Sequence, residues 1–249
     1  MKALILAAGR GKRLYPLTDN LPKALVDVGG IPLLIRTLNM LGQIGIREIG
    51  IAVGYRGDDI RKAVGNKWGT IPVRYYENTR YETTNNVVSF CMAADFCDDE
   101  MLLLECDVCC GRDVLLKMKE SSADCLILAS PYDPDRMNGT AVRITNGDRV
   151  EELIVGSRQG KSFDYGKVLK TVNIYRFSKR FLSKYIPLLQ WYTRTMGENC
   201  FYEKVLGALI YLQECDVRVL KTDKDTWCEI DDMQDLEHAL AMLECEHGA

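Results

Sequence analysis

The chain has 249 residues, enough to bury a substantial core, and its 27% charged and 47% hydrophobic residues are an ordinary globular composition. No run of about 18 apolar residues exists to cross a membrane, which argues against membrane insertion. A net charge of -3 gives no general attraction to nucleic acid or to an anionic membrane, so neither is expected as a partner and any anionic ligand needs a local pocket.

The opening MKALILAAGR turns polar within nine residues and lacks the longer apolar stretch of a secretory signal. Lys2 to Ala8 therefore reads as a first strand, and a cytoplasmic location is expected. IPLLIRTLNMLGQIG reads as a helix, EIGIAVG as a strand, DDIRKAVG as a helix, IPVRYYE as a strand, NNVVSFCMAADF as a helix and EMLLLEC as a strand. This alternation predicts an α/β fold with a doubly wound, mostly parallel, Rossmann-like sheet. Ligands of such sheets bind beyond the carboxyl ends of the strands, so the loops starting at Gly9, Asn78 and Cys106 are expected to converge. Beyond Asp124, TAVRIT and RVEELIV flank Asn146 and Gly147 and predict an added β-hairpin that forms a lid region. SRQGKSFDYGK reads as a mobile loop, KTVNIYRF and VRVLKT as strands, and SKRFLSKYIPLLQWY, ENCFYEKVLGALIYLQE and DDMQDLEHALAML as helices. Of ten cysteines, many sit in apolar runs (Cys91, Cys97, Cys125, Cys200) and read as free buried thiols. Cys106, Cys109 and Cys110 hold a single C-x-x-C, too little to define a zinc site.

The chemistry concentrates in LAAGRGKRLYPLTDNLPK. Gly9 and Gly11 let the backbone approach a ligand and offer N–H groups to phosphate, while Arg10, Lys12, Arg13 and Lys23 supply positive charge. The spacing fits neither a Walker A loop nor a dinucleotide fingerprint, which needs a third glycine. A dehydrogenase would also carry an acid after the second strand, where Gly54 and Tyr55 stand.

This segment resembles the nucleotidyltransferases of the sugar-1-phosphate uridylyl-, thymidylyl- and cytidylyltransferase type, whose signature L-A-A-G-x-G-x-R-L-x-P-L-T-x-x-x-P-K is matched at every fixed position from Leu6 to Lys23. The resemblance implies a single nucleotidyltransferase domain over 1–249, with a nucleotide-binding half to about residue 123 and an acceptor-binding half beyond. It implies that Leu6, Ala8, Gly9, Arg10, Gly11, Lys12 and Arg13 bind the nucleotide, the Gly9–Arg13 backbone and Arg13 holding its triphosphate, with Arg13 and Lys23 catalytic. Asp107, ending an apolar strand, can coordinate Mg²⁺ between phosphates. WCEIDDMQDL resembles the second metal-binding segment, with Asp231 as ligand and Glu229 a candidate helper on the same strand face. An N-cap role for Asp231 or Asp232 is the structural alternative. Retention of Arg13, Lys23, Asp107 and Asp231 argues against a non-catalytic regulatory relative.

The stretch N-x-x-Y-x-x-x-N-N-x-x-S looks like the branch of cytidylyltransferases acting on phosphocholine or 2-aminoethylphosphonate, so Asn78, Tyr81, Asn85, Asn86 and Ser89 are expected to read the base of CTP. Asn85 or Asn86 is also expected to cap the following helix. The family's Glu-Lys-Pro is replaced by Val155, Gly156 and Ser157; Lys161, Lys167 or Lys170 could substitute for its lysine. For an acceptor with a cationic head, Tyr202, Glu203, Trp227 and Glu229, with Lys170, form the expected acceptor set. The implied reaction joins CMP from CTP to a small phosphorylated or phosphonate substrate; a sugar-1-phosphate or polyol phosphate is the alternative acceptor. The nucleophile is already ionised, so neither His238 nor His247 is needed as a base. The tail LECEHGA reads as the beginning of a linker, leaving a homodimer and a fusion to a further domain both open.

Overall fold

The computed structural model describes residues 1–145 and 147–247. In chain order its elements are β1 (Lys2–Ala7), the small hairpin β2 (Asp27–Val28) and β3 (Ile31–Pro32), α1 (Leu33–Gln43), β4 (Ile49–Val53), α2 (Gly57–Val64), β5 (Lys67–Trp68), β6 (Ile71–Glu77), α3 (Asn86–Met92), β7 (Met101–Glu105), β8 (Val108–Cys110) and α4 (Arg112–Glu120). There follow β9 (Cys125–Pro131), β10 (Ala141–Thr145), β11 (Arg149–Ile154), β12 (Leu169–Phe177), α5 (Lys179–Met196), α6 (Tyr202–Tyr211), β13 (Val217–Lys221), β14 (Trp227–Glu229) and α7 (Met233–His247).

Ten strands form one sheet in the order β10-β11-β13-β9-β12-β7-β1-β4-β6-β5. Strands β7, β1, β4 and β6 run parallel, and β12 is inserted antiparallel between β7 and β9. The continuous apolar run ALILA of β1 is what a strand covered on both faces requires. Alternation along it sends Leu4 and Leu6 into the layer with α3, α5 and α6, and Ala3, Ile5 and Ala7 into the layer with α1 and α4. The expected order of strands and helices is present, with additions. Between Cys106 and Asp124, where no element was expected, lie β8 and α4, the latter a short amphipathic helix that buries Leu115 and Met118.

The hairpin β10–β11 does more than extend the sheet edge. Strand β10 pairs with both β11 and β12, so the hairpin folds back on the sheet. Asn146, expected in its turn, lies outside the described residues, as do Gly248 and Ala249 of the tail. The segment expected as a mobile loop is packed in place. Gln159 donates to the carbonyls of Gly139 and Ile154 at 2.7 and 2.8 Å, and Tyr165 meets the rings of both Tyr132 and Phe163, which pack over Ala141 and Ile154.

The carboxyl ends of β1 and β4 approach so closely that a Cβ on Gly54 would lie 2.6 Å from the Ala8 carbonyl oxygen and 2.9 Å from Cβ of Tyr81. That contact sets the floor of the loop after β1. Gly54→Ala is expected to cost about 1–3 kcal/mol of stability through overpacking, read as a lower urea midpoint at unchanged slope.

Candidate active site

The loops after β1, β6 and β7 converge, as expected, on a cleft of about 400 Å³. Gly11 sits at φ 71°, where a side chain is strained, and a Cβ there would meet Cβ of Lys23 at 2.8 Å. The glycine therefore lets Lys23 pack directly against the loop. Thr18 Oγ1 closes the turn by donating to the Gly11 carbonyl at 2.8 Å.

At one end of the cleft three carboxylates meet. Asp107 lies just after β7. Strand β14 pairs with β8, opposing Glu229 to Val108, and the Ile230 amide donates to the Asp107 carbonyl at 2.9 Å, which brings Asp231 beside Asp107. One oxygen each of Asp107, Glu229 and Asp231 lies within 4.8 Å of the others. Asp232, rather than Asp231, caps α7 by accepting from the amides of Gln234 and Asp235, while Asp235 accepts from those of Asp231 and Asp232. Asp231 is thus left to face the cleft.

Lys23 bridges the two aspartates, its Nζ 2.8 Å from Asp107 Oδ2 and 2.7 Å from Asp231 Oδ1; Arg13 reaches Asp231 Oδ2 at 2.7 Å. Burial opposes the Lys23 charge, but Asp107 and Asp231 outweigh it and hold its pKa above the usual lysine range. Burial likewise favours neutral Asp231, yet Lys23 and Arg13 hold its carboxyl below the usual range. Asp107 Oδ1 is buried without a hydrogen-bond partner among the described residues. Glu229 accepts from Asn173 Nδ2 at 3.0 Å and lies 3.3 Å from Lys170 Nζ; burial, more than its neighbours, raises its pKa.

All the residues expected to bind the nucleotide line the cleft except Arg10, whose guanidinium stacks over the Tyr55 ring at 5.1 Å and faces Asp19. Several of them are engaged internally. Asn78 is buried and donates to Thr84 Oγ1 and Ser89 Oγ while accepting from the Arg80 amide. Asn85 caps α3 by accepting from the Asn86 amide, and Asn86 ties Tyr202 N to Glu105 Oε1. Cys106 lines the cleft at the start of the loop expected there, and Thr84 and Glu105 line it without having been anticipated. Glu105 had a signal in sequence, a carboxylate ending the apolar strand MLLLE.

The expected acceptor residues do not line the main cleft. Tyr202 is fully buried within the Phe90, Tyr175 and Tyr185 aromatic cluster, and Glu203 is 4% exposed with burial pushing its pKa up to about 7. The Trp227 ring faces Lys170 Nζ at 5.7 Å. The aromatic face expected for a cationic ligand is thus occupied by the chain's own lysine. His238 lines a small cavity with Trp227, Glu229 and Asp231. Among the described residues nine cysteines form no disulfide, and Cys109 and Cys228 are directly opposed across β8 and β14.

Residues 2–154 match the family described as nucleotidyl transferase, and the chain belongs to that family. It is 30% identical over 241 residues to the CMP-5'-(3-aminopropyl)phosphonate synthase of Streptomyces rubellomurinus, spanning 96% of this chain and 38% of that protein. It is 27% identical to the CTP:phosphoglutamine cytidylyltransferase of Campylobacter jejuni, over 95% of this chain and 98% of that one. Its fold matches the CTP:phosphocholine cytidylyltransferase of Streptococcus pneumoniae with a TM-score of 0.76 at 23% identity, over 97% and 98% of the two chains. The protein is a nucleotidyltransferase with a mixed α/β fold and a mostly parallel central sheet.

The Lys23 bridge makes a stability prediction. A depressed Asp231 carboxyl contributes stability that is present above its ordinary value of 3.8 and is lost as pH falls through the folded-state value. The raised Lys23 contributes fully below 10.5 and loses its contribution only as pH rises through the folded-state value. Lys23→Met is expected to cost about 2–4 kcal/mol at neutral pH, by leaving buried carboxylates unpaired. Chemical denaturation across pH should show that gap shrinking as the carboxylates protonate below about pH 4.

Proposed function

We propose that the protein transfers CMP from CTP to a small amino-alcohol phosphate or phosphonate, such as phosphocholine or 2-aminoethylphosphonate, releasing pyrophosphate. The observation that carries this reading is the junction of Asp107, Asp231 and Lys23 at the end of a glycine-lined cleft. The choice of CTP is supported by the names of the relatives that align over almost the whole chain.

The Gly9–Arg13 backbone and Lys12 would hold the triphosphate, the Leu6–Ala8 strand end and Tyr81 the nucleoside. An oxygen of the acceptor phosphate or phosphonate, already anionic, attacks the α-phosphorus; that P–O bond forms as the bond to the β-phosphate oxygen breaks, and pyrophosphate leaves. No general base is needed, and positioning of two anions becomes the main task, worth roughly 7–11 kcal/mol when geometry is good. Arg13 and Lys23 can exchange carboxylate partners for phosphate oxygens, so their charge meets the charge that moves onto the leaving group.

The donor set suits Mg²⁺: oxygen ligands only, three carboxylates at one point, and on Asp107 a buried oxygen with no partner among the described residues. Asp107 and Asp231, with Glu229 beside them, would hold the ion, and it would neutralise phosphate charge and fix the α-phosphate.

Pyrophosphate release should require a divalent cation, stop with chelator, and proceed with CTP in preference to UTP, dTTP and ATP. Asp107→Asn should lower kcat about 10²- to 10³-fold. Turnover of glucose-1-phosphate in place of the amino-alcohol compounds would refute the acceptor reading, and equal use of UTP would refute the base reading.

A further inference from the structure

Two further carboxylates, Glu105 and Glu203, lie near the metal-type triad, and among the described residues neither forms an ion pair. Glu105 lines the same cleft as Asp107 and stands two residues before it, so their Cα atoms are at most about 7 Å apart. Its Oε1 accepts from both Asn86 Nδ2 at 3.0 Å and Tyr202 Oη at 3.2 Å. No described residue donates to Oε2, which leaves that oxygen for the cleft. Glu203 follows Tyr202 at the start of α6 and is 4% exposed. Its Oε1 is 3.5 Å from Tyr175 Oη and its Oε2 is buried with no hydrogen-bond partner among the described residues. Burial, and then the Asp107, Glu203 and Glu229 carboxylates, favour the neutral form of Glu105, so its negative charge is held in the cleft only when a cation answers it.

The cations at the triad are committed. Lys23 and Arg13 bond Asp107 and Asp231, and Lys170 bonds Glu229. Among the described residues, no lysine or arginine bonds Glu105 or Glu203. With the Trp227 face filled by Lys170, the acceptor residues expected from sequence do not supply an open cation site, whereas Glu105 is open to the cleft.

The geometry points to Glu105, backed by Glu203, as the group that selects the acceptor, by receiving the ammonium of a short aminoalkyl phosphate or phosphonate whose phosphorus end sits at Asp107 and Asp231. This rests on the acceptor class proposed above. The tyrosine and asparagine donors fix the carboxylate orientation, so the ammonium meets a preset acceptor in place of a mobile side chain. The exocyclic amine of cytosine, a neutral donor, would leave the charge of Glu105 unanswered.

The test is calorimetric binding of 2-aminoethylphosphonate and of ethylphosphonate, its counterpart without the amine, to the wild type, Glu105→Gln and Glu203→Gln, with CTP binding measured alongside. The wild type should bind the ammonium compound about 10- to 100-fold more tightly, the range for a hydrogen bond to a charged group. That ratio should fall towards one in Glu105→Gln and fall in part in Glu203→Gln. Equal affinities in the wild type overturn the assignment whether or not either variant folds. An unchanged ratio in folded Glu105→Gln overturns it too, as does loss of CTP affinity in place of loss of acceptor selectivity. Selective binding of the ammonium compound by a protein that shows no turnover with CTP would uphold this assignment and remove the nucleotide half of the proposed function.

Discussion

One ammonium group between two carboxylates organises this site. Lys23 comes from the loop after β1, Asp107 follows β7 and Asp231 precedes α7, so a single side chain ties together segments 84 and 208 residues apart in sequence. Two aspartates brought this close would repel each other and drive one another towards protonation. The lysine answers both and holds them in place. The same charges can be regrouped when a triphosphate enters, because an ammonium that satisfies carboxylates also satisfies phosphate oxygens. The arrangement is preorganised in the sense that matters for an electrostatic site: the groups are in position before the substrate arrives.

Everything around that junction serves its placement. Gly11 is there because the loop must lie against the Lys23 side chain, and Gly54 because the strand ends beneath that loop are in contact. The short β8–β14 ribbon, only three residues on each strand, carries Asp107 and Asp231 to the same point. Asp232 and Asp235 satisfy the amides at the start of α7, which frees Asp231 from capping. In the cleft wall, Asn86 and Glu105 are tied to each other and to the buried Tyr202, and Glu229 is paired with the buried Lys170.

Much of this was legible in the chain because its signals are local. The doubly wound sheet follows from apolar runs alternating with amphipathic ones, and the loop from Leu6 to Lys23 is a contiguous pattern. What was hidden depends on long-range packing. Tyr202 and Trp227 read as open aromatic faces, but nothing local distinguishes an exposed ring from one enclosed by Phe90 and Tyr175, or from one already facing Lys170. Asn78 reads as a base-contacting amide, whereas the fold uses both of its N–H groups to brace Thr84 and Ser89. Arg10 falls inside the phosphate motif and turns away because Tyr55 offers it a ring. Strand β8 and helix α4 are too short for periodicity to declare them.

The account stands or falls on whether Lys23 changes partners at the triad. Crystals grown with Mn²⁺ and a non-hydrolysable CTP analogue, examined by anomalous scattering, test this directly. The predicted result is a Mn²⁺ peak at the carboxylates of Asp107 and Asp231, with Lys23 Nζ moved onto a phosphate oxygen. A metal bound elsewhere, with Lys23 still bridging the two aspartates, would contradict it.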